Sequence, residues 1–310
     1  MTLLLIGTGA MAREYSKALS SKKVPFDVIG KSQEGITSFE LQTGQKVWGS
    51  DLASYLEGNL PANAIVCSSI QSLSLITAQL ISAGVTDILV EKPISTREHE
   101  LLALAQLAEE RKSSVFIALN RRHYKSVQFA RNLARSAHEP FELRFTFNER
   151  ISKIPFDRHP DEVLSHWVIA NSIHAIDAAF FIGGWPSELN AQVSGELSWH
   201  PSGKVFSGFG TLAGGPSTFS YKADWSQDGN WGITLVLKDS IIEFNPLENA
   251  LQRGSARNEA QLTVKERPTN GIKPGLTGLI NDFLHKRENL VNIHTYLENF
   301  RILKRIGNYG

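Results

Sequence analysis

Residues 2–12 read TLLLIGTGAMA. Leu3 to Ile6 form the kind of short apolar run that makes a fully buried strand, and GTGAMA, Gly7 to Ala12, follows it directly as G-x-G-x-x-A. Each position in that turn has a physical reason. Gly7 permits the tight turn, and Gly9 lets the backbone around Thr8, Ala10 and Met11 approach a pyrophosphate at a helix N-terminus. Ala12 is small enough for the helix to pack closely on the strand. The segment AMAREYSKALSS carries Ala, Met and Leu at helical spacing, so the turn lies between a strand and a helix and reads as a dinucleotide-binding turn.

The same alternation continues to residue 120. FDVIG, AIVCSS, DILVEK and VFIALN are strand candidates, and LSLITAQLISAG and STREHELLALAQLAEERK are helix candidates between them. The second helix opens with Ser95 as N-cap and Glu98 three residues later, a capping-box pattern. Alternation of this kind predicts a doubly wound parallel sheet over residues 1–122. Ligands of such sheets bind at the carboxyl ends of the strands. That is where the run ILVEKPIS places Glu91, Lys92 and Pro93. An NAD site commonly ends its second strand in Asp or Glu, yet Asp27 is followed by Val28 and Ile29, and the strand ends at GKS. Lys31 and Ser32 suit a 2′-phosphate, which favours NADP over NAD.

After Asn120 the pattern changes. RRHYKSVQFARNLARS reads as one helix, and then FELRFTFNE, SELNAQVSGELSW, KVFSGFGTLAG, STFSYKADW, GITLVLKDSIIEF and AQLTVKE alternate apolar with polar residues. These predict an α+β domain over 123–310 with a large, mainly antiparallel open sheet covered on one face. ANSIHAIDAAFFIGG reads as an amphipathic helix, and two more helices, GLTGLINDFLHK and TYLENFRILKRIG, close the chain. The uncovered sheet face is expected to carry Phe206, Phe209, Phe219 and Tyr221 and to build a homodimer or homotetramer.

Composition narrows the classes. The 310 residues include 32 basic and 31 acidic side chains, which gives no bulk attraction to nucleic acid or to an anionic membrane. Cys67 is the single cysteine, so an internal disulfide and a cysteine-rich metal site are excluded, and a reducing, cytoplasmic setting is expected. The opening residues lack the basic region of a secretory signal, and no apolar run reaches transmembrane length. No ligand-spaced cluster suggests a metal.

On GTGAMA, LVEKP, ALNRRHY, IHAIDAAFFIGG and the closing TYLENFRILKRI, the chain resembles the Gfo/Idh/MocA oxidoreductases (glucose–fructose oxidoreductase, inositol dehydrogenase, rhizopine catabolism) along essentially its whole length. The resemblance implies hydride transfer between NADP or NAD and a sugar, cyclitol or nucleotide-linked sugar, with the second domain holding the substrate. It implies a cis bond before Pro93, Glu91 and Lys92 bordering the cofactor, Lys92 reaching the substrate oxygen beside the nicotinamide, and His174 as general acid/base. Ser69 to Ser72 stand where the family usually has Thr-Pro and then His, and Ser69 and Gln71 are still expected to border the nicotinamide ribose. Asn120 falls where the family contacts cofactor or substrate, and of Arg121 and Arg122 one, Arg122, is expected to bind an anion in the substrate while the other lies at the surface or a domain interface. The chain departs from the family pattern at Ala170, where many sugar dehydrogenases have aspartate four residues before the histidine. Asn171 and Asp177, at i−3 and i+3 from His174, are then the expected partners of its imidazole or of substrate. Arg158 and His159 read as an exposed turn, with substrate contact as the alternative. Trp185, Trp199, Trp225 and Trp231 read as packing. Two other functions fit the departure at Ala170: a non-catalytic dinucleotide-binding regulator, and a reductase of a non-sugar carbonyl or imine.

Overall fold

The computed structural model describes residues 2–254 and 260–310. The first part of the chain runs β1 (Leu3–Ile6), α1 (Ala10–Ser21), β2 (Phe26–Ile29), α2 (Gln33–Thr43), α3 (Leu52–Gly58), β3 (Asn63–Val66), α4 (Ile70–Ala83), β4 (Asp87–Val90), α5 (Glu98–Arg111) and β5 (Ser114–Ile117). A 3₁₀ turn (Asn120–His123), α6 (Lys125–Ser136), β6 (Glu142–Phe147), α7 (Asp161–Ser165), a π-helical turn (Val168–Ser172) and α8 (Ile173–Gly183) follow. Next come β7 (Pro186–Ser194), β8 (Val205–Leu212), β9 (Thr218–Asp224), β10 (Trp231–Val236), β11 (Ser240–Phe244), β12 (Asn249–Gly254) and β13 (Ala260–Lys265). The chain closes with α9 (Leu276–Asn281), a second π-helical turn (Asp282–Lys286), β14 (Val291–Asn292) and α10 (Ile293–Gly307).

Two compact units result: Met1–Asn120 with Pro268–Glu298, and Arg121–Arg267 with Asn299–Gly310. In the first, the sheet order is β14-β5-β4-β3-β1-β2, parallel except for β14. β1 to β5 are four residues each and almost wholly buried, as strands covered on both faces must be. The sequence grouped 123–310 together, whereas 268–298 return to this first unit. Leu276, Leu279, Ile280 and Phe283 are apolar side chains on the α9 segment, and they join one core with Leu3, Leu5, Tyr15, Ile65 and Leu89. Burial of each contributes roughly 1.5–3 kcal/mol, more than the local sequence between 268 and 298 could gain from any turn signal. The proposed capping box is also corrected. α5 starts at Glu98 with Arg97 as N-cap, and Ser95 instead accepts from the Arg97 N–H and donates to Glu100.

The second unit has an eight-stranded sheet, ordered β13-β12-β11-β10-β6-β9-β8-β7, antiparallel except for the β6–β9 pair. Three local readings differ from the sequence expectation. GITLVLKDSIIEF is two strands joined by a turn, because Leu237 N–H bonds back to Ser240. RRHYKSVQFARNLARS is a 3₁₀ turn followed by α6. α8 is not amphipathic: every residue from Ile173 to Ile182 is buried, since it packs on β6 and β10 and also against α6. Its ring Phe180 meets Phe145 and Phe219 edge-on at 5.2 Å. The aromatic residues expected on the open sheet face are also mostly elsewhere. Phe206, Phe219 and Tyr221 are buried, and Phe209 alone is exposed, at 61%. Alternation on β8 puts Phe206 and Phe209 on opposite faces, three residues apart. No helix among the described residues is long and apolar enough to cross a membrane.

Candidate active site

The turn after β1 has the geometry its sequence implies. Gly7 has φ of +119°, and a Cβ there would stand 2.5 Å from the Cys67 carbonyl oxygen of β3's end, so only glycine fits. Gly9 is the N-cap of α1; its side has open space, no side chain caps the helix, and no acidic residue occupies the first turn. The first N–H groups of α1 thus point at a place kept clear of side chains and of negative charge, which suits an anionic group. Thr8 packs toward Gly30 and Gly35, and the Arg13 guanidinium donates to the Thr8 carbonyl oxygen at 3.3 Å. These residues fit the pyrophosphate of a dinucleotide, with Gly7, Thr8, Gly9, Ala10 and Met11 as its cradle.

β2 ends at Ile29, so Lys31 and Ser32 lie just past a strand end. Lys31 is exposed, and Ser32 caps α2 by accepting from the Gly35 N–H at 3.2 Å. Asp27 faces elsewhere and accepts from the Tyr55 hydroxyl at 2.8 Å. The other strand-end residues line up along the same edge in sheet order. Past β3, Ser69 and Gln71 are exposed at the start of α4, and Ser72 bonds the hydroxyls of Ser68 and Ser69. Past β4, Glu91 and Lys92 are partly exposed, and the Lys92–Pro93 bond is cis. Glu91 accepts from the Tyr15 hydroxyl of α1 at 2.8 Å. Burial, and then the Glu91 charge, raise that phenol's pKa, so it stays a donor. This strut fixes the chain beside Lys92 against the helix that carries the dinucleotide turn. Past β5, the Asn120 amide donates to the Pro274 carbonyl oxygen at 3.0 Å, so it anchors the returning segment.

In the second unit, Arg122 and Asp177 do not wait for substrate. The guanidinium makes two bonds to the carboxylate, at 2.8 and 2.6 Å, with both side chains buried. A buried carboxylate on an otherwise apolar helix needs a buried cation, and Arg122 lies over the Phe181 ring at 4.8 Å beside it. Asp177 thus has Arg122 as its bidentate partner, which the sequence reading did not foresee. Asn171 lies within the π-helical turn that precedes α8, and its amide donates to Glu149 at 2.9 Å. His174 is buried on α8, its ring 6.2 Å from that of Trp231.

Glu149 was not singled out by sequence reasoning. It is 4% exposed, and its Oε1 accepts from the Ser172 hydroxyl at 2.6 Å and from Trp231 Nε1 at 3.4 Å. Burial raises its pKa, opposed by hydrogen bonds from Ser172, Trp167, Asn171 and Trp231. It faces a cavity of about 390 Å³ that Trp167, Asn171 and Trp231 also line. The only sequence signal was a polar residue two positions after a strand of buried aromatics, which is too common to act on. His159 lines this cavity and packs on Trp167 at 5.3 Å, while Arg158 is an exposed turn residue. The partly exposed Trp199 stacks on the buried Trp225 at 5.6 Å, and Trp185 packs on Phe180. Trp231 instead forms cavity wall. Among the described residues, no group of three His, Cys, Asp or Glu side chains is placed to hold a metal ion.

A second buried group was missed. His200 is 0% exposed and bonds the Gly203 carbonyl oxygen through Nδ1 at 2.8 Å and the Tyr309 hydroxyl through Nε2 at 2.7 Å. Gly203 O can only accept, so Nδ1 carries the proton and Tyr309 donates to Nε2. The same hydroxyl accepts from the Val168 N–H at 3.1 Å, which ties the chain's C-terminal segment to the π-helical turn before His174. Burial pulls the His200 pKa down to about 4.

A glycine cradle at the start of α1 and a lysine past β4, two strands along the same sheet edge, define the class of the first unit: a Rossmann dinucleotide domain. Residues 1–119 match the Gfo/Idh/MocA family, described as oxidoreductases with an NAD-binding Rossmann fold. Over those 119 residues the chain is similar to the NAD-binding Rossmann domain of that family. The whole chain has the fold of several solved structures. UDP-N-acetylglucosamine 3-dehydrogenase from Acidithiobacillus ferrooxidans is similar at 16% identity and TM-score 0.74, over 99% of this chain and 97% of that one. Levoglucosan dehydrogenase in complex with NADH is similar at 16% identity and TM-score 0.78, over 99% and 96%. A Gfo/Idh/MocA family oxidoreductase from Vibrio cholerae is similar at 14% identity and TM-score 0.77, over 99% and 96%. No curated protein sequence matches the chain.

Proposed function

We propose that this chain transfers hydride between a carbinol carbon of a sugar, cyclitol or nucleotide-linked sugar and a nicotinamide dinucleotide, with NADP(H) preferred. The observation that carries the reading is the placement of Lys92 at the carboxyl end of β4, on the same sheet edge as the Gly7–Met11 turn and separated from it by β3 alone. A bound dinucleotide supplies the hydride acceptor or donor. In the oxidising direction, the Lys92 ammonium stabilises negative charge developing on the substrate oxygen, and the His174 imidazole takes the proton from that hydroxyl. The sugar substrates named for two of the similar structures support the substrate class. Preference for the 2′-phosphate rests on Lys31 and on a second strand that ends without a carboxylate.

The test is turnover of a panel of sugars, cyclitols and sugar nucleotides with NADP⁺ and NAD⁺, followed by the same assay on Lys92→Ala and His174→Ala. Loss of an oxyanion-type donor should lower turnover roughly 10²–10³-fold, and loss of the acid–base group roughly 10²–10⁴-fold. Cofactor affinity should survive both. A wild type that binds dinucleotide and oxidises or reduces nothing in the panel would overturn the proposal in favour of a non-catalytic regulator.

A further inference from the structure

We infer that Glu149 is a substrate-binding residue whose carboxylate accepts a hydroxyl hydrogen bond from a polyhydroxylated ring seated in the cavity bounded by Trp231, Trp167 and Asn171. This rests on the carbohydrate reading above and adds to it a residue and a place.

The argument starts from what a buried carboxylate needs. Glu149 is nine-tenths buried and has no ion-pair partner among the described residues; its side-chain partners Ser172, Asn171 and Trp231 are all neutral donors. A carboxylate has about four acceptor sites. A purely structural role is the usual explanation of a buried acid, and it typically comes with a guanidinium, as Asp177 has in Arg122. Glu149 has none among the described residues, and it lines an open cavity. The neutral donors are fixed from two elements, Ser172 and Asn171 from the π-helical turn and Trp231 from β10, so the carboxylate is held still at the cavity wall.

The surroundings select the ligand. The indole of Trp231 is only partly buried and forms wall, which offers an apolar face to the C–H side of a ring. Asn148, Asn230 and Asn171 contribute amides to the same wall and Arg150, Lys153 and His159 further donors, and a volume of about 390 Å³ holds one ring with substituents. Acceptors and amides around an indole match a ring of hydroxyls. The π-helical turn that aims Asn171 at Glu149 leads into the helix carrying His174, and the His174 ring lies 6.2 Å from the Trp231 ring that walls the cavity, which puts a ring bonded to Glu149 near the imidazole.

The test is a cycle of substrate and residue. The carbohydrate turned over by the wild type is compared with its single-deoxy analogues, on the wild type and on Glu149→Gln. For the wild type, one deoxy position is expected to raise KM by about 10- to 100-fold, the range for a hydrogen bond to a charged group. Glu149→Gln is expected to raise KM for the full substrate similarly, to leave kcat within about threefold and cofactor affinity unchanged, and to abolish discrimination at that one position. If Glu149→Gln does not fold by circular dichroism, Glu149→Asp takes its place, with the same KM change required. A wild type that turns over a carbohydrate while the Glu149 variant keeps its KM and its deoxy discrimination overturns this inference alone. A wild type that neither binds nor turns over any carbohydrate overturns it together with the proposed function.

Discussion

Acidification should weaken the second unit through His200, and the size of the effect follows from its burial. The imidazole has a pKa of 6.5 in an open chain and about 4 in the fold, because burial disfavours the charged ring. Between those values the unfolded chain binds a proton that the folded chain refuses. Stability from this group is therefore fully present above about pH 6.5 and is lost as the pH falls toward 4. At about 1.4 kcal/mol per pH unit, the difference amounts to about 3 kcal/mol. Protonation would also turn Nε2 from an acceptor into a donor facing the Tyr309 hydroxyl, which would then have to turn its own hydrogen away from the imidazole. The assay is urea unfolding at pH 7.5, 6.5, 5.5 and 4.5, followed by tryptophan fluorescence, since the Trp225 ring lies 4.8 Å from the imidazole. His200→Gln, which can still accept from Tyr309 and has no group to titrate, provides the comparison. The wild type should lose roughly 2–3 kcal/mol more than the variant between pH 7.5 and 4.5. Equal losses in the two proteins would refute the argument, for every other titrating group is shared.

Other perturbations have distinct signatures. Arg122→Ala should cost about 3–5 kcal/mol in urea unfolding by stranding the buried Asp177 carboxylate, and Arg122→Met with Asp177→Leu should recover most of it; a single variant as stable as the wild type would contradict the pairing. Gly210→Ala should destabilise by more than about 2 kcal/mol, because the new Cβ would stand 1.9 Å from the Glu188 carbonyl oxygen across the β7–β8 pair; an unchanged melting temperature would refute it. Lys31→Asp should reverse a preference for NADP(H) in fluorescence titrations, and firm NAD(H) preference in the wild type would remove the reason for it. For assembly, we propose a homodimer or homotetramer through the open face of the eight-stranded sheet, where Phe209 is exposed. Phe209→Asp should lower the mass seen by light scattering, and a wild type that is monomeric at micromolar concentration would exclude such assembly.

What the sequence determined by itself is local. GTGAMA required a strand, a turn with positive φ and a helix in that order, because the constraint acts within six residues. The buried parallel strands followed from apolar runs too short and too β-branched for helices, and LVEKP marked the strand end that carries Lys92. The tertiary structure decided which partner each polar group and each apolar face received. Nothing near Arg122 in sequence says that it will neutralise Asp177, 55 residues on. The period of α8 suggested one exposed stripe, and only the arrival of α6 opposite β6 buried the rest. The segment 268–298 reads like any amphipathic element until its apolar side chains meet those of β1 and α1. Glu149 was the least legible, because a glutamate past a strand end is ordinarily solvated, and it becomes a site residue only when a π-helical turn brings Ser172 and Asn171 to it while β10 brings Trp231. Turn conformation and hydrophobic period are properties of a window of sequence, whereas satisfying a buried charge depends on whichever distant element folds against it.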